Sequence, residues 1–230
     1  MIRLVIATRN QHKVAEIQAI LGNEFHYVTL DDFQGAPEVV EDAHTFAGNA
    51  TKKAVALAKW ISKGRAANGG KDIVEAFVLA DDSGLEVDAL GGAPGVHSAR
   101  FAALDTGKPG NSSTDENNAK LLRLLKHVPP GKRTARFRCV LALTPVLKPK
   151  QEAASPVCSA DEFEIQTQIF EGACEGGIQF APRGNSGFGY DPLFVPEGFS
   201  EAFAELPEEV KNRLSHRYKA LKQLREQFAR

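Results

Sequence analysis

Phe77-Val78-Leu79-Ala80-Asp81-Asp82-Ser83-Gly84-Leu85 is the stretch on which the fold turns. Its first four residues are apolar, short in run and bounded by polar ones, which reads as a buried strand. The Asp-Asp-Ser-Gly run then sits at the C-terminal end of that strand, and residues 85–90 either extend it or pair with it. Asp, Ser and Gly are also common turn formers, so a plain turn is the competing reading. Neighbouring side chains on a strand point to opposite faces. One aspartate can therefore face a cleft while the other supports it. The apolar flanks make two aspartates at a buried edge costly unless they are paired or bound to metal.

Upstream, residues 2–7 form a second short apolar run and read as another strand. Asn10 is a natural N-cap for the helix that follows, whose Val14, Ile17 and Leu21 recur at helical spacing before Gly22 stops it. Residues 27–30 are a further strand candidate. Residues 45–61 predict a long helix rich in alanine and lysine, and residues 63–72, with three glycines, a surface loop. Gly91, Gly92, Pro94 and Gly95 make a turn-rich loop. Downstream, the pattern predicts a helix over 115–125, a strand over 135–143, an exposed polar connection over 148–159 and a half-buried strand over 163–171, where apolar and polar residues alternate. A glycine-rich loop spans 182–192. Pro207 is expected at the first position of a helix. A last helix over 215–228 carries Tyr218, Leu221, Leu224 and Phe228 on one face. Strands mixed with helices argue for an α/β architecture.

With 230 residues the chain is near the upper size of one hydrophobic core, so residues 1–230 are expected to form one domain, divided or not into two lobes. A net charge of −1 advertises neither nucleic acid nor an anionic membrane as partner, so any positive site must be local. Cys139, Cys158 and Cys174 are odd in number and lack metal-ligand pairing, as expected of thiols in a reducing compartment. The first apolar run is too short for a signal-peptide core and no stretch is long enough to span a bilayer. The expected location is the cytoplasm.

Four constellations could carry chemistry. Thr8, Arg9, Asn10, Gln11, His12 and Lys13 leave a strand and enter a helix, whose N-terminus offers N–H groups and a positive dipole end to phosphate. Taken alone, these residues read better as a capped surface helix with incidental cations. Asp81 and Asp82 beside phosphate make sense if a divalent cation lies between them; magnesium takes one or two carboxylates plus substrate oxygens and water. The segment 184–192 lets backbone approach a ligand closely, and its Phe188 or Tyr190 could stack on a base; a flexible loop is the alternative. Lys211, Ser215, His216 and Arg217 form a basic cluster. Lys211 and His216 diverge on a continuous helix. If both serve one ligand, the helix must break near Leu214 with Ser215 capping the next; otherwise the cluster is a solvated face.

Taken together, these segments resemble the inosine triphosphate pyrophosphatase family, also described as dITP/XTP pyrophosphatases. The resemblance is carried by residues 4–10 with Lys13 and Glu16, Thr45-Phe46 with Asn49-Ala50, residues 80–85 and 87–95, Ser98-Ala99-Arg100, Phe188-Gly189-Tyr190-Asp191-Pro192 and Ser215-His216-Arg217. It implies a two-lobed mixed α/β fold with a long curved central sheet and an active-site cleft between the lobes. It also implies a homodimer. The implied activity is magnesium-dependent hydrolysis of ITP, dITP and XTP to monophosphate and pyrophosphate, which cleanses the nucleotide pool. By position, Asp82 is implied as proton acceptor and Mg2+ ligand, with Glu41, or next Glu38, as the acidic partner. Ser83, Thr8 to Lys13, Phe188, Gly189, Tyr190, Asp191, Lys211, His216 and Arg217 are implied substrate contacts. Two substitutions depart from the pattern: Arg9 stands where glycine is frequent, and Gly48 where many members carry glutamate. The segments around 63–72 and 148–159 are longer than usual. The competing functions are a related pyrophosphatase for other modified nucleotides, an inactive nucleotide-binding regulator and, lower still, an enzyme with Ser83 as nucleophile.

Overall fold

A computed structural model describes residues 2–67, 76–107, 109–147 and 161–228. Residues 68–72 of the expected loop, the expected connection 148–159 and Cys158 lie outside the described residues. The strands are β1 (Arg3–Ile6), β2 (His26–Thr29), β3 (Ala76–Val87), β4 (Thr134–Pro145), β5 (Gln168–Ile178) and β6 (Phe194–Pro196). They form one mixed sheet in the order β2-β1-β3-β4-β5-β6. The helices are α1 (Gln11–Leu21), α2 (Phe46–Ala67), α3 (Thr114–Leu124), α4 (Glu162–Ile165), α5 (Glu208–Leu214) and α6 (His216–Phe228). The chain divides into two compact units, Met1–Asp82 with Val140–Phe170 and Leu221–Arg230, and Ser83–Cys139 with Glu171–Ala220. No described helix is long and apolar enough to cross a membrane.

In the first unit β1 pairs in parallel with both β2 and β3, with Leu4 opposite Phe77 and Val5 opposite Val78. Parallel neighbours need crossovers, which α1 and α2 supply. Asn10 caps α1 by accepting the His12 and Lys13 N–H groups, and Gly22 closes it at φ 63°. The alanine-rich stripe of α2 (Ala50, Ala54, Leu57, Ala58, Ile61) packs against Val5, Ala7, Val78 and Ala80. Residues of the alternate parity face the other way: Phe77 meets the Phe228 ring edge-on at 5.4 Å, and Phe228 meets Phe25 at 5.3 Å. Asp82 therefore shares the face of Val78 and Ala80, and Asp81 that of Phe77 and Leu79.

Several expectations need correction. β3 does not stop at Ala80 but runs through Asp81-Asp82-Ser83-Gly84 to Val87, so the paired aspartates lie mid-strand. The strand continues because Leu85 and Val87 are fully buried and the polar residues between find partners. α2 passes the expected end at 61 and reaches Ala67. The alternation over 163–171 is not one strand. Asp161 accepts the Phe163 N–H and caps the one-turn helix α4, Thr167 donates to the Phe163 carbonyl, and β5 begins only at Gln168. Ile165, which the alternation would bury, is 69% exposed. Pro207 precedes α5 as its cap instead of occupying its first position.

The second unit has a core of Leu85, Val87, Phe101, Leu121, Phe194 and Phe203 with their neighbours. β4 shows where it begins. Over Ala135, Phe137 and Cys139 burial alternates, with Arg136 and Arg138 turned outward to Asp88, Glu175 and Glu171. From Val140 to Thr144 every residue is buried. One half of the strand thus has a solvated face and the other half is covered on both faces. Cys139 and Cys174 are buried free thiols, and burial pushes the Cys174 thiol up to about 11.

Candidate active site

In the first unit Asp81 and Asp82 are buried on opposite faces of β3, and each has its own set of partners. Lys13 of α1 makes a salt bridge to Asp81. Lys53 of α2 donates to the Asp81 carbonyl at 2.9 Å, and its ammonium lies 3.4 Å from both the Asp82 and the Glu41 carboxylates. Asn49, also on α2 and fully buried, donates its Nδ2 to Asp82 Oδ2 at 3.2 Å. Desolvation holds the Asp82 carboxyl above its ordinary range, with the Glu41 charge adding to it; Lys53, Lys13 and the Asn49 bond pull the other way and do not prevail.

Of the two acidic candidates, Glu41 faces Asp82 across Lys53, whereas Glu38 is exposed and makes no ion pair among the described residues. No three His, Cys, Asp or Glu side chains converge on a common point among the described residues. Two facing carboxylates with hard oxygen donors are nonetheless the number that magnesium takes from protein when phosphates and water complete its shell. The donor set fits that ion.

The turn from β1 into α1 carries Thr8, Arg9, Asn10, Gln11 and His12 at or near the surface. Thr8 Oγ1 accepts the Asn10 N–H at 3.2 Å, and the Gln11 amide donates to Asp31. Lys13 brings this segment into contact with Asp81.

In the second unit the basic cluster takes the broken-helix form. Ser215 ends α5 and, through its hydroxyl, accepts the Tyr218 N–H of α6. Lys211 and His216 therefore stand on separate helices. Lys211 donates to Asp191 Oδ2 at 2.8 Å, and the same oxygen accepts the Phe188 N–H at 2.9 Å. Gly187 has φ 79°, and a Cβ there would lie 2.1 Å from that oxygen, so the loop closes on Asp191 only with glycine at this place. The Lys211 ammonium sits 5.1 Å from the centre of the Phe188 ring. Arg217, fully buried, reaches Ser83 Oγ at 3.4 Å. The His216 ring stacks on Phe137 at 5.0 Å and 13°. Tyr190 is buried; its hydroxyl donates to the Ser98 carbonyl at 2.9 Å, and burial pushes the phenol far above its ordinary value. It braces the loop, with Gly189 held by Asn118 through its carbonyl.

The residues missed from sequence are Asn49 and Lys53. Both lie beside the apolar stripe of α2, four apart, and so on one helical face. A polar pair at that spacing, bordering a stripe of alanines, was the available signal.

A model of the Ham1 family matches residues 4–227. A protein named dITP/XTP pyrophosphatase from Desulforamulus reducens is 46% identical, covering 97% of this chain and 94% of its own. One of the same name from Geobacter sulfurreducens is 44% identical, covering 98% and 96%. A solved HAM1 protein from Coxiella burnetii superposes with TM-score 0.75 at 34% identity over 100% of this chain and 99% of that one. The Ham1 protein of Staphylococcus aureus gives 0.74 at 32%, covering 99% and 98%. Matched by the family model over residues 4–227 and 46% identical to a relative across nearly its whole length, the chain belongs to the Ham1 family.

Proposed function

We propose that this chain hydrolyses deaminated purine nucleoside triphosphates (ITP, dITP, XTP) to the monophosphate and pyrophosphate with magnesium, removing them from the cytoplasmic nucleotide pool. Residues 1–230 act as one pyrophosphatase domain, working as a homodimer. The observation that carries the reading is Asp82: buried, oriented by Asn49, facing Lys53 and Glu41, with its carboxyl lifted by desolvation. A lifted carboxyl is a better proton acceptor for water than an exposed one.

In this mechanism a water oxygen bonds to the α-phosphorus in line with the bridging oxygen to the β-phosphorus. That bridge breaks, pyrophosphate leaves and the water proton passes to Asp82. Asp82 and Glu41 would hold magnesium, which when bound supplies charge neutralisation to the phosphate oxygens. Lys53 and Lys13 offset negative charge gathered at the triphosphate. Thr8, Arg9, Asn10, Gln11 and His12 offer the helix N-terminus to phosphate. Ser83, Phe188, Gly189, Asp191, Lys211, His216 and Arg217 serve the sugar and base, with Tyr190 as their brace. Donors from His216 or Arg217 to the purine 6-oxo group would lose their partner on an adenine base, which sets the preference.

Asp82→Asn tests the assignment. Turnover of ITP is expected to fall by about a thousandfold or more, as when a group acting in the transition state is removed. A variant with ordinary turnover would remove Asp82 from the mechanism.

A further inference from the structure

Asn49 has no solvent exposure, and both ends of its amide are engaged. Its Nδ2 donates to Asp82 Oδ2 at 3.2 Å, and its Oδ1 accepts the Ala43 N–H at 2.9 Å. Ala43 is two residues from Glu41. The same segment is pinned to the start of α2 twice more: the Gly48 N–H donates to Thr45 Oγ1 at 3.0 Å and the Asn49 N–H to the Thr45 carbonyl at 3.1 Å. Only a side chain with a donor and an acceptor can make both amide bonds at once, which excludes aspartate and leucine of similar size.

Gly48 occupies the third position of α2, where glutamate would complete a reciprocal cap with Thr45. A Cβ at 48 would lie 2.8 Å from the Cβ of Ala43 and 3.1 Å from Thr45 Oγ1. Ala43 Cβ is fixed to the backbone, so relief requires the segment to move. Helix propensity favours alanine over glycine at such a position. The contact with Ala43 opposes it.

We propose that Asn49 is a positioning residue of the reaction centre, tying the Glu41-bearing segment to Asp82, and that the bare Cα of Gly48 is what lets Ala43, and with it Glu41, lie close enough to be tied. The proposal rests on the roles given above to Asp82 and Glu41. Gly48 then serves the packing between 43 and 48.

The test compares Gly48→Ala, the double variant Ala43→Gly/Gly48→Ala and Asn49→Asp with the wild-type chain, by steady-state ITP hydrolysis and by hydrogen exchange at the Ala43 amide. Gly48→Ala should lower kcat about tenfold with KM changed by less than about threefold, because misplacement costs the reacting geometry more than binding. It should also speed exchange at Ala43. Removing the opposing methyl in the double variant should restore both, a coupling expected of residues in contact. Asn49→Asp keeps the acceptor for Ala43 and loses the donor to Asp82, so it should lower kcat while Ala43 stays protected. Wild-type kcat and protection in Gly48→Ala, no recovery in the double variant, or ordinary kcat in Asn49→Asp would each overturn the proposal. Exchange at Ala43 is read without substrate, so a wild-type chain inert toward ITP would count against the functional reading alone, and the exchange arm would still decide the steric pairing of 43 with 48.

Discussion

Asp82 stands beside Lys53, with Lys13 also acting on it, and burial still lifts its carboxyl above the ordinary range. A carboxyl raised in the folded state binds its proton more tightly there than in the unfolded chain. Its ionised form therefore weakens the fold above that raised value, and the penalty disappears below the ordinary carboxylate range, where both states are protonated. Asparagine carries no charge to desolvate and still accepts the Asn49 amide. At neutral pH without metal, Asp82→Asn should melt no lower than wild type and up to about 4 °C higher, by calorimetry. A loss of several degrees would show that the carboxylate stabilises the fold. The sequence singled out the Asp81-Asp82 pair, because apolar flanks make two aspartates costly at a buried edge, but it left open which one faces a cleft; the roles of Asp82 and Lys13 came from the family resemblance. Asn49 and Lys53 were not legible, since their roles depend on which strand α2 packs against. Nor could spacing show that Gln11 is engaged by Asp31, or that Tyr190 is buried against Ser98.

At the scale of elements, the break at Ser215 decides the second cluster. Five residues on an unbroken helix turn by roughly 140°, which would send Lys211 and His216 apart. Ser215 resets the direction; in the sequence the break followed only if Lys211 and His216 served one ligand, and a solvated basic face was the alternative. The platform beneath His216 was not readable, because Phe137 comes from β4, far away in sequence. Its ring stacks on the imidazole at 5.0 Å, and it packs against Phe194 and Phe203 at 4.7 and 5.9 Å. Phe137→Leu keeps an apolar side chain of similar reach and removes the ring face. KM for ITP should rise about three- to tenfold with kcat within about twofold, as for a lost binding contact; an unchanged KM would separate Phe137 from the base contacts. The misread strand over 163–171 has a related origin. Alternation alone cannot see Asp161 cap a turn of helix, as its pairing with Lys59 and its bond to the Phe163 N–H make it do.

For the whole molecule, the α/β class and most elements of the first unit followed from short apolar runs and helix caps. The unit boundary in β4 falls between Cys139 and Val140, where burial changes from alternating to continuous; the apolar pattern of the sequence changes at the same place, but sequence alone does not show that a unit ends there. Asp82 closes one segment of the first unit, and Ser83 opens the second. The reaction itself is tested most directly by pyrophosphate release from ITP, dITP, XTP, ATP, GTP and a set of modified pyrimidine triphosphates, with magnesium and with excess chelator. Pyrophosphate is expected from ITP, dITP and XTP, with kcat/KM at least about a hundredfold above ATP if buried donors read the 6-oxo group, and release should stop with chelator. Equal release from ATP, a preference for the modified pyrimidines, or no pyrophosphate from ITP in magnesium would contradict the proposed reaction.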